Sequence, residues 1–101
     1  LFLSGQIPLD PATGELKEGI EAQTKQALAN VEAVLKAGGS GVEQLLEVTI
    51  YLTDISYFAT VNQLYESWLG EAMKPARAVV EVAALPKGAL IEVVAKGIVE
   101  S

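Results

Sequence analysis

The order of patterns along this 101-residue chain predicts an α+β fold: a single sheet with two helices packed on one face. Three observations carry that expectation. Residues 20–37 place apolar side chains at helical spacing and end at a Gly-Gly pair. Two runs rich in Val and Ile near the C-terminus read as strands. Strand and helix signals follow one another as β, α, β, α, β, β, which one sheet can absorb.

Taken in order, Leu1-Phe2-Leu3 reads as the end of a strand, stopped by Ser4-Gly5. QIPLDPATGEL holds two prolines and a Thr-Gly pair, so it is a loop with a turn at Pro11–Gly14. From Ile20 to Ala37, Ala27, Leu28, Val31, Val34 and Leu35 form the apolar side, with Glu21, Lys25, Glu32 and Lys36 opposite. Val42–Leu46 can add a helical turn. Glu47–Thr53 alternates, with Val48, Ile50 and Leu52 on one side, as a half-buried strand does. Asp54 or Ser56 can cap a second helix with the stripe Phe58, Val61, Tyr65, Trp68 and Leu69, closed by Gly70. Arg77–Ala83 is a strand, Leu85–Gly88 a turn, and Leu90–Val99 a longer strand.

Composition narrows the function. The length predicts one domain over residues 1–101. Half of the residues are hydrophobic, more than a core of this size should absorb, so a subunit interface is expected. The formal charge of −6 argues against nucleic acid and against an anionic membrane surface. With no cysteine and no histidine, disulfides, thiol nucleophiles, the usual zinc sites and a serine–histidine triad are excluded. No acidic cluster has the spacing of a calcium loop, and no metal or other cofactor is expected. No apolar run has the length of a membrane helix and no signal peptide is visible, so a soluble, cytoplasmic protein is the expectation.

Arg77 is the sole arginine, set among Val79, Val80 and Val82, where a charge is costly unless an anion meets it. Its planar fork grips a carboxylate through two hydrogen bonds. Glu92 interrupts the next apolar run in the same way. If the two strands pair as a hairpin, both charges could share a face around a small carboxylate-bearing substrate; the plainer reading is a salt bridge or a sheet edge. Asn62, beside the second apolar stripe, reads more readily as a bridge to backbone groups, and the tyrosines and Trp68 as packing. The N–H groups exposed at Ser4-Gly5 could hold an anion.

Four segments go further: SGQIPLDPATGEL at 4–16, QTKQALANVEAVLKAGG at 23–39, VTIYLTDISYFATVNQLYESWL at 48–69 and PARAVVEVAALPKGALIEVVA at 75–95. In these the chain resembles the RidA/YjgF family of enamine/imine deaminases over nearly its whole length. The resemblance implies a chorismate-mutase-like subunit assembled as a homotrimer with clefts between subunits. It implies that Arg77 binds the substrate carboxylate, that Glu92 positions or activates water, that the backbone of Ser4 and Gly5 helps hold the carboxylate, and that Asn62 lies at the subunit contact. Val79 stands where many relatives carry a cysteine, so only its backbone is expected to serve. The family usually begins with a further strand containing a Gly-Pro-Tyr segment; this chain is expected to lack it, and with it one wall of the cleft.

The implied reaction needs no cofactor. A 2-imino acid, such as one tautomerised from 2-aminoacrylate, would be hydrolysed to a 2-oxo acid and ammonia. The alternatives are a non-catalytic regulator or chaperone that binds small carboxylates, and an endoribonuclease or translation inhibitor, as reported for some relatives. Chorismate mutase chemistry is a poorer match, because a dianionic substrate calls for more than one arginine.

Overall fold

The computed structural model describes residues 1–99. Helix α1 spans Ile20–Ala37, strand β1 Leu45–Leu52, helix α2 Phe58–Leu69, strand β2 Ala76–Glu81 and strand β3 Ile91–Gly97. α1 keeps the range its periodicity predicts, burying Ala27, Leu28, Val31 and Leu35 on one side. It stops where the Gly38 N–H turns back to the Val34 and Leu35 carbonyls and Gly39 adopts a φ of 85°. The Asp54 carboxylate accepts from the Ser56 N–H at 2.9 Å, starting a short 3₁₀ turn that runs into α2. Along α2, Val61, Tyr65 and Leu69 recur every four residues and face the core.

The sheet order is β2-β1-β3, with β1 parallel to β2 and antiparallel to β3. The two C-terminal strands therefore do not form the hairpin considered above. β1 lies between them because its stripe of Val48, Ile50 and Leu52, at most 1% exposed, belongs in the centre of the core. The link from β2 to β3 passes across the end of β1, where the Val82 N–H donates to the Leu52 carbonyl (2.8 Å) and the Thr53 N–H to the Leu90 carbonyl (3.1 Å). The expected strand after Gly97 ends early, and residues 98 and 99 lie outside it.

Both helices cover the face that carries Val48, Ile50, Leu52, Ile91, Val93 and Ala95. Thr49, Tyr51, Val80, Glu92 and Val94 share the opposite face, which carries no helix. The first residues run antiparallel along the far side of β3, with bridges at Phe2–Lys96 and Gln6–Val93. The pairing slips by one residue between these bridges, so Ser4-Gly5 forms a bulge against β3.

Among the described residues, Lys87 is the one non-glycine residue with positive φ, at 59°. It lies in the Pro86–Gly88 turn that leads into β3. The left-handed conformation costs an L-residue roughly 1–2 kcal/mol. Lys87→Gly is expected to stabilise the fold by about 0.5 kcal/mol, after the extra unfolded-state entropy of glycine is subtracted. Lys87→Val should destabilise it by about 1–2 kcal/mol, because a β-branched residue fits this region worst. Urea unfolding of the two variants checks both signs.

Candidate functional site

Arg77 lies on β2 in register with Val48, so its side chain leaves the sheet on the helix-covered face, at the edge strand. There it meets one side of α2. Phe58, Asn62 and Tyr65, at spacings of four and three residues, surround the guanidinium. Nη1 of Arg77 donates to Oδ1 of Asn62 at 2.5 Å. The guanidinium carbon stands 5.5 Å from the ring centre of Phe58 and 4.9 Å from that of Tyr65. Cation–π contacts of this kind each contribute about 0.5–2 kcal/mol.

No carboxylate lies within ion-pairing distance of Arg77 among the described residues. Lys74, near the start of the same strand, is paired with Glu66 at 3.2 Å. Arg77 is half-buried and held by neutral groups alone, so its positive charge is oriented but not neutralised. Tyr65 is 3% exposed, and its hydroxyl has no hydrogen-bond partner among the described residues. Burial pushes its phenol above the ordinary value, and the Arg77 charge works against that rise. Val79 follows Arg77 on the same face, opposite Ile50, and packs against the core.

Glu92 stands on β3, in a different neighbourhood. It is in register with Tyr51, on the face that carries no helix, and the N-terminal bulge runs beside it. A β-carbon on Gly5 would stand 2.7 Å from Cδ of Glu92 and 2.9 and 3.0 Å from its carboxylate oxygens. Glycine is what gives the carboxylate its room. The half-buried Glu92 is in no ion pair among the described residues. Ser4 is exposed and its carbonyl accepts from Nε2 of Gln6 at 3.0 Å.

The structure thus gathers the sequence-derived candidates into two groups. Arg77, Asn62 and Val79 form one; Glu92, Gly5 and Ser4 form the other. Two strand spacings and three residue steps separate Arg77 from Glu92, roughly 14 Å between Cα atoms, on opposite faces of the sheet. The single face and the salt bridge considered from sequence are both absent. Phe58 and Tyr65 were readable only as packing residues; their helical spacing from Asn62 was the signal that they share its surroundings. Two grooves on this chain, of about 310 Å³ beside the N-terminal loop and about 320 Å³ between the helices, include neither Arg77 nor Glu92 in their linings.

Known proteins resolve what this arrangement belongs to. The family model described as Endoribonuclease L-PSP matches residues 1–99. A 2-iminobutanoate/2-iminopropanoate deaminase from Salmonella typhimurium is 47% identical over 95 residues, covering 92% of this chain and 74% of the relative. The chain belongs to the RidA/YjgF family. Another of its members, a RutC family protein from Pyrococcus horikoshii, is 49% identical over 94 residues, with 92% and 74% covered. The YjgF gene product of E. coli superposes with a TM-score of 0.92 at 42% identity, over 96% of this chain and 78% of that one. E. coli TdcF with bound serine gives 0.93 at 38% identity, over 99% and 80%. The RidA-type α+β subunit expected from the sequence is therefore the fold observed.

The close approach of Gly5 to Glu92 generates a test. The far end of a flexible side chain can move aside cheaply, so Gly5→Ala should shift the melting temperature by less than about 4 °C. The carboxylate itself should leave its place. Calorimetry together with a crystal structure of the variant checks both parts.

Proposed function

We propose that this chain is a subunit of an enamine/imine deaminase that hydrolyses small 2-imino acids to 2-oxo acids and ammonia. The observation that carries this reading is the pair of unneutralised charges: a guanidinium held by Asn62 and two rings, and a carboxylate resting against a glycine. The first is suited to receive a substrate carboxylate, the second to handle a water. Relatives 44–47% identical that bear the name 2-iminobutanoate/2-iminopropanoate deaminase support the same reaction.

In this mechanism the substrate carboxylate docks on the free edge of the Arg77 fork, with the bulge amide at Gly5 as a further donor. Glu92 orients a water toward C2 and takes its proton as the C–O bond forms. Glu92 returns that proton to the imine nitrogen, giving a tetrahedral carbinolamine. It then takes the hydroxyl proton and passes it to the amino nitrogen, so that the C–N bond breaks and ammonia leaves as the C=O bond forms. The carbonyl that remains makes the 2-oxo acid. Positioning and one general base suffice for a bond this labile.

A separation of roughly 14 Å is too large for one chain to bind C1 and attack C2 of the same small molecule. We therefore propose that copies combine, Arg77 of one facing Glu92 of another, in a homotrimer. The open sheet face supports an interface, with Val80 43% exposed, and Phe2 79% exposed lies beside it. A ribonuclease reading, which the family description would allow, lacks a basic surface: the net charge is −6 and Arg77 stands alone.

Arg77→Lys should lower kcat/KM about 30- to 3,000-fold, nearly as much as Arg77→Ala, because an ammonium cannot reproduce the fork. Glu92→Gln should lower kcat about 10²- to 10⁴-fold with affinity for 2-oxobutanoate kept. A carboxylate-binding regulator would instead show tight 2-oxobutanoate binding and no imine hydrolysis in the parent. Mixing unfolded Arg77→Ala and Glu92→Gln chains and refolding them together should restore roughly a quarter of parental activity, since one site in four would combine intact residues. No recovery in a mixed, assembled sample would show that the site is not shared between subunits.

A further inference from the structure

Two carboxamides on α1, seven residues apart and hence on one side of the helix, hold the segments between which Gly5 and Glu92 meet. Gln23, 3% exposed, donates through Nε2 to the Lys17 carbonyl at 2.9 Å and accepts at Oε1 from the Leu90 N–H at 2.8 Å. Leu90 lies two residues before Glu92, so Gln23 fixes the entry to that strand. Asn30 donates through Nδ2 to the Ile7 carbonyl at 3.1 Å and to the Leu9 carbonyl at 2.9 Å. Its own Oδ1 accepts from Nε2 of Gln26 at 2.8 Å, which orients the amide. Ile7 lies two residues after Gly5.

Apolar packing anchors the loop at Pro8, which is less than 2% exposed, and Asn30 adds polar bonds to the residues on either side of it. A groove of about 310 Å³ separates the loop from the helix there, lined by Gly5, Gln6, Ile7, Leu9, Asn30 and Val34 among others. The Asn30 amide fixes the two carbonyls that flank the buried Pro8, at the edge of this groove. The chain from Asn30 to the carboxylate is short: the Ile7 and Leu9 carbonyls, then the paired backbone of Gln6 and Val93, then Gly5 against Glu92.

We infer that Asn30 is a positioning residue: by holding the Ile7–Leu9 segment it sets where Gly5 lies, and so where the Glu92 carboxylate is aimed. This rests on the reading of Glu92 as the base. The Arg77 group is built on α2 and β2 and shares none of these bonds, so the device acts on one half of the site only. A loop anchor with no part in aiming Glu92 would affect stability and nothing else.

The test uses the full chain with Asn30→Asp, which keeps the shape of the side chain and loses the Nδ2 donors, and with Asn30→Ala. Amide exchange at Gln6 and Val93, which bond to one another's carbonyls, should quicken about tenfold or more while Val48 and Ile50 stay protected. For 2-iminobutanoate, kcat should fall about 10- to 100-fold, with the calorimetric affinity for 2-oxobutanoate changed less than about threefold. Unchanged exchange at Gln6 and Val93 overturns the inference, as does quickened exchange with parental kcat. Loss of kcat matched by equal loss of 2-oxobutanoate affinity overturns it too. If the parent hydrolyses no imine, the base assigned to Glu92 falls. The exchange measurement still decides the other half, whether Asn30 places Gly5.

Discussion

Strand β1 is hydrogen-bonded along both edges, parallel to β2 and antiparallel to β3, and the rest of the structure is arranged around that fact. Its Val48–Ile50–Leu52 stripe is buried beneath the helices, which forces Thr49 and Tyr51 to the other face. Every residue in register with β1 inherits a face from it. Arg77 falls opposite Val48 and goes to the helix side; Glu92 falls opposite Tyr51 and goes to the open side. A slip of one residue in either ladder would exchange those faces, since side chains alternate along a strand.

The setting of Arg77 is informative because it is neutral. Two aromatic rings and an amide stabilise a guanidinium without cancelling its charge. An acidic partner at the same place would hold the side chain as firmly but would compete with an incoming carboxylate. The Tyr65 hydroxyl is buried beside this guanidinium without a hydrogen-bond partner among the described residues.

Glu92 depends on a different set of constraints. The bulge at Ser4-Gly5 brings backbone, not side chain, up to the carboxylate, and the polar pins from α1 keep it there. The helix thus has two roles on two sides. Its apolar stripe fills the core, and the carboxamides of Gln23 and Asn30 hold the loop and the entry to β3. The same division between a packed face and a functional edge recurs in α2, where Val61 and Leu69 enter the core while Phe58 and Asn62 face Arg77.

By itself the sequence determined the family, both helices and the three strands of the sheet to within two residues of their ends. The strand end read at Leu1–Leu3 is only an isolated bridge from Phe2 to Lys96. Periodicity of four or two residues is a local property, and the apolar stripes of α1 and β1 could be read directly from it. The unusual residues were legible as well: a sole arginine and a glutamate among valines are conspicuous by type, and the motifs around Ser4, Gly5, Asn62 and Val79 marked the rest. Strand order was not. Whether β1 inserts between β2 and β3 depends on which stripe is buried deepest, a comparison among segments distant in sequence that leaves no local mark. Only the tertiary structure therefore decided that Arg77 and Glu92 lie on opposite faces. The roles of Phe58, Tyr65 and Asn30 stayed hidden for the same reason: an aromatic ring or an amide on a helix looks alike in sequence whether it meets the core, a guanidinium or a loop.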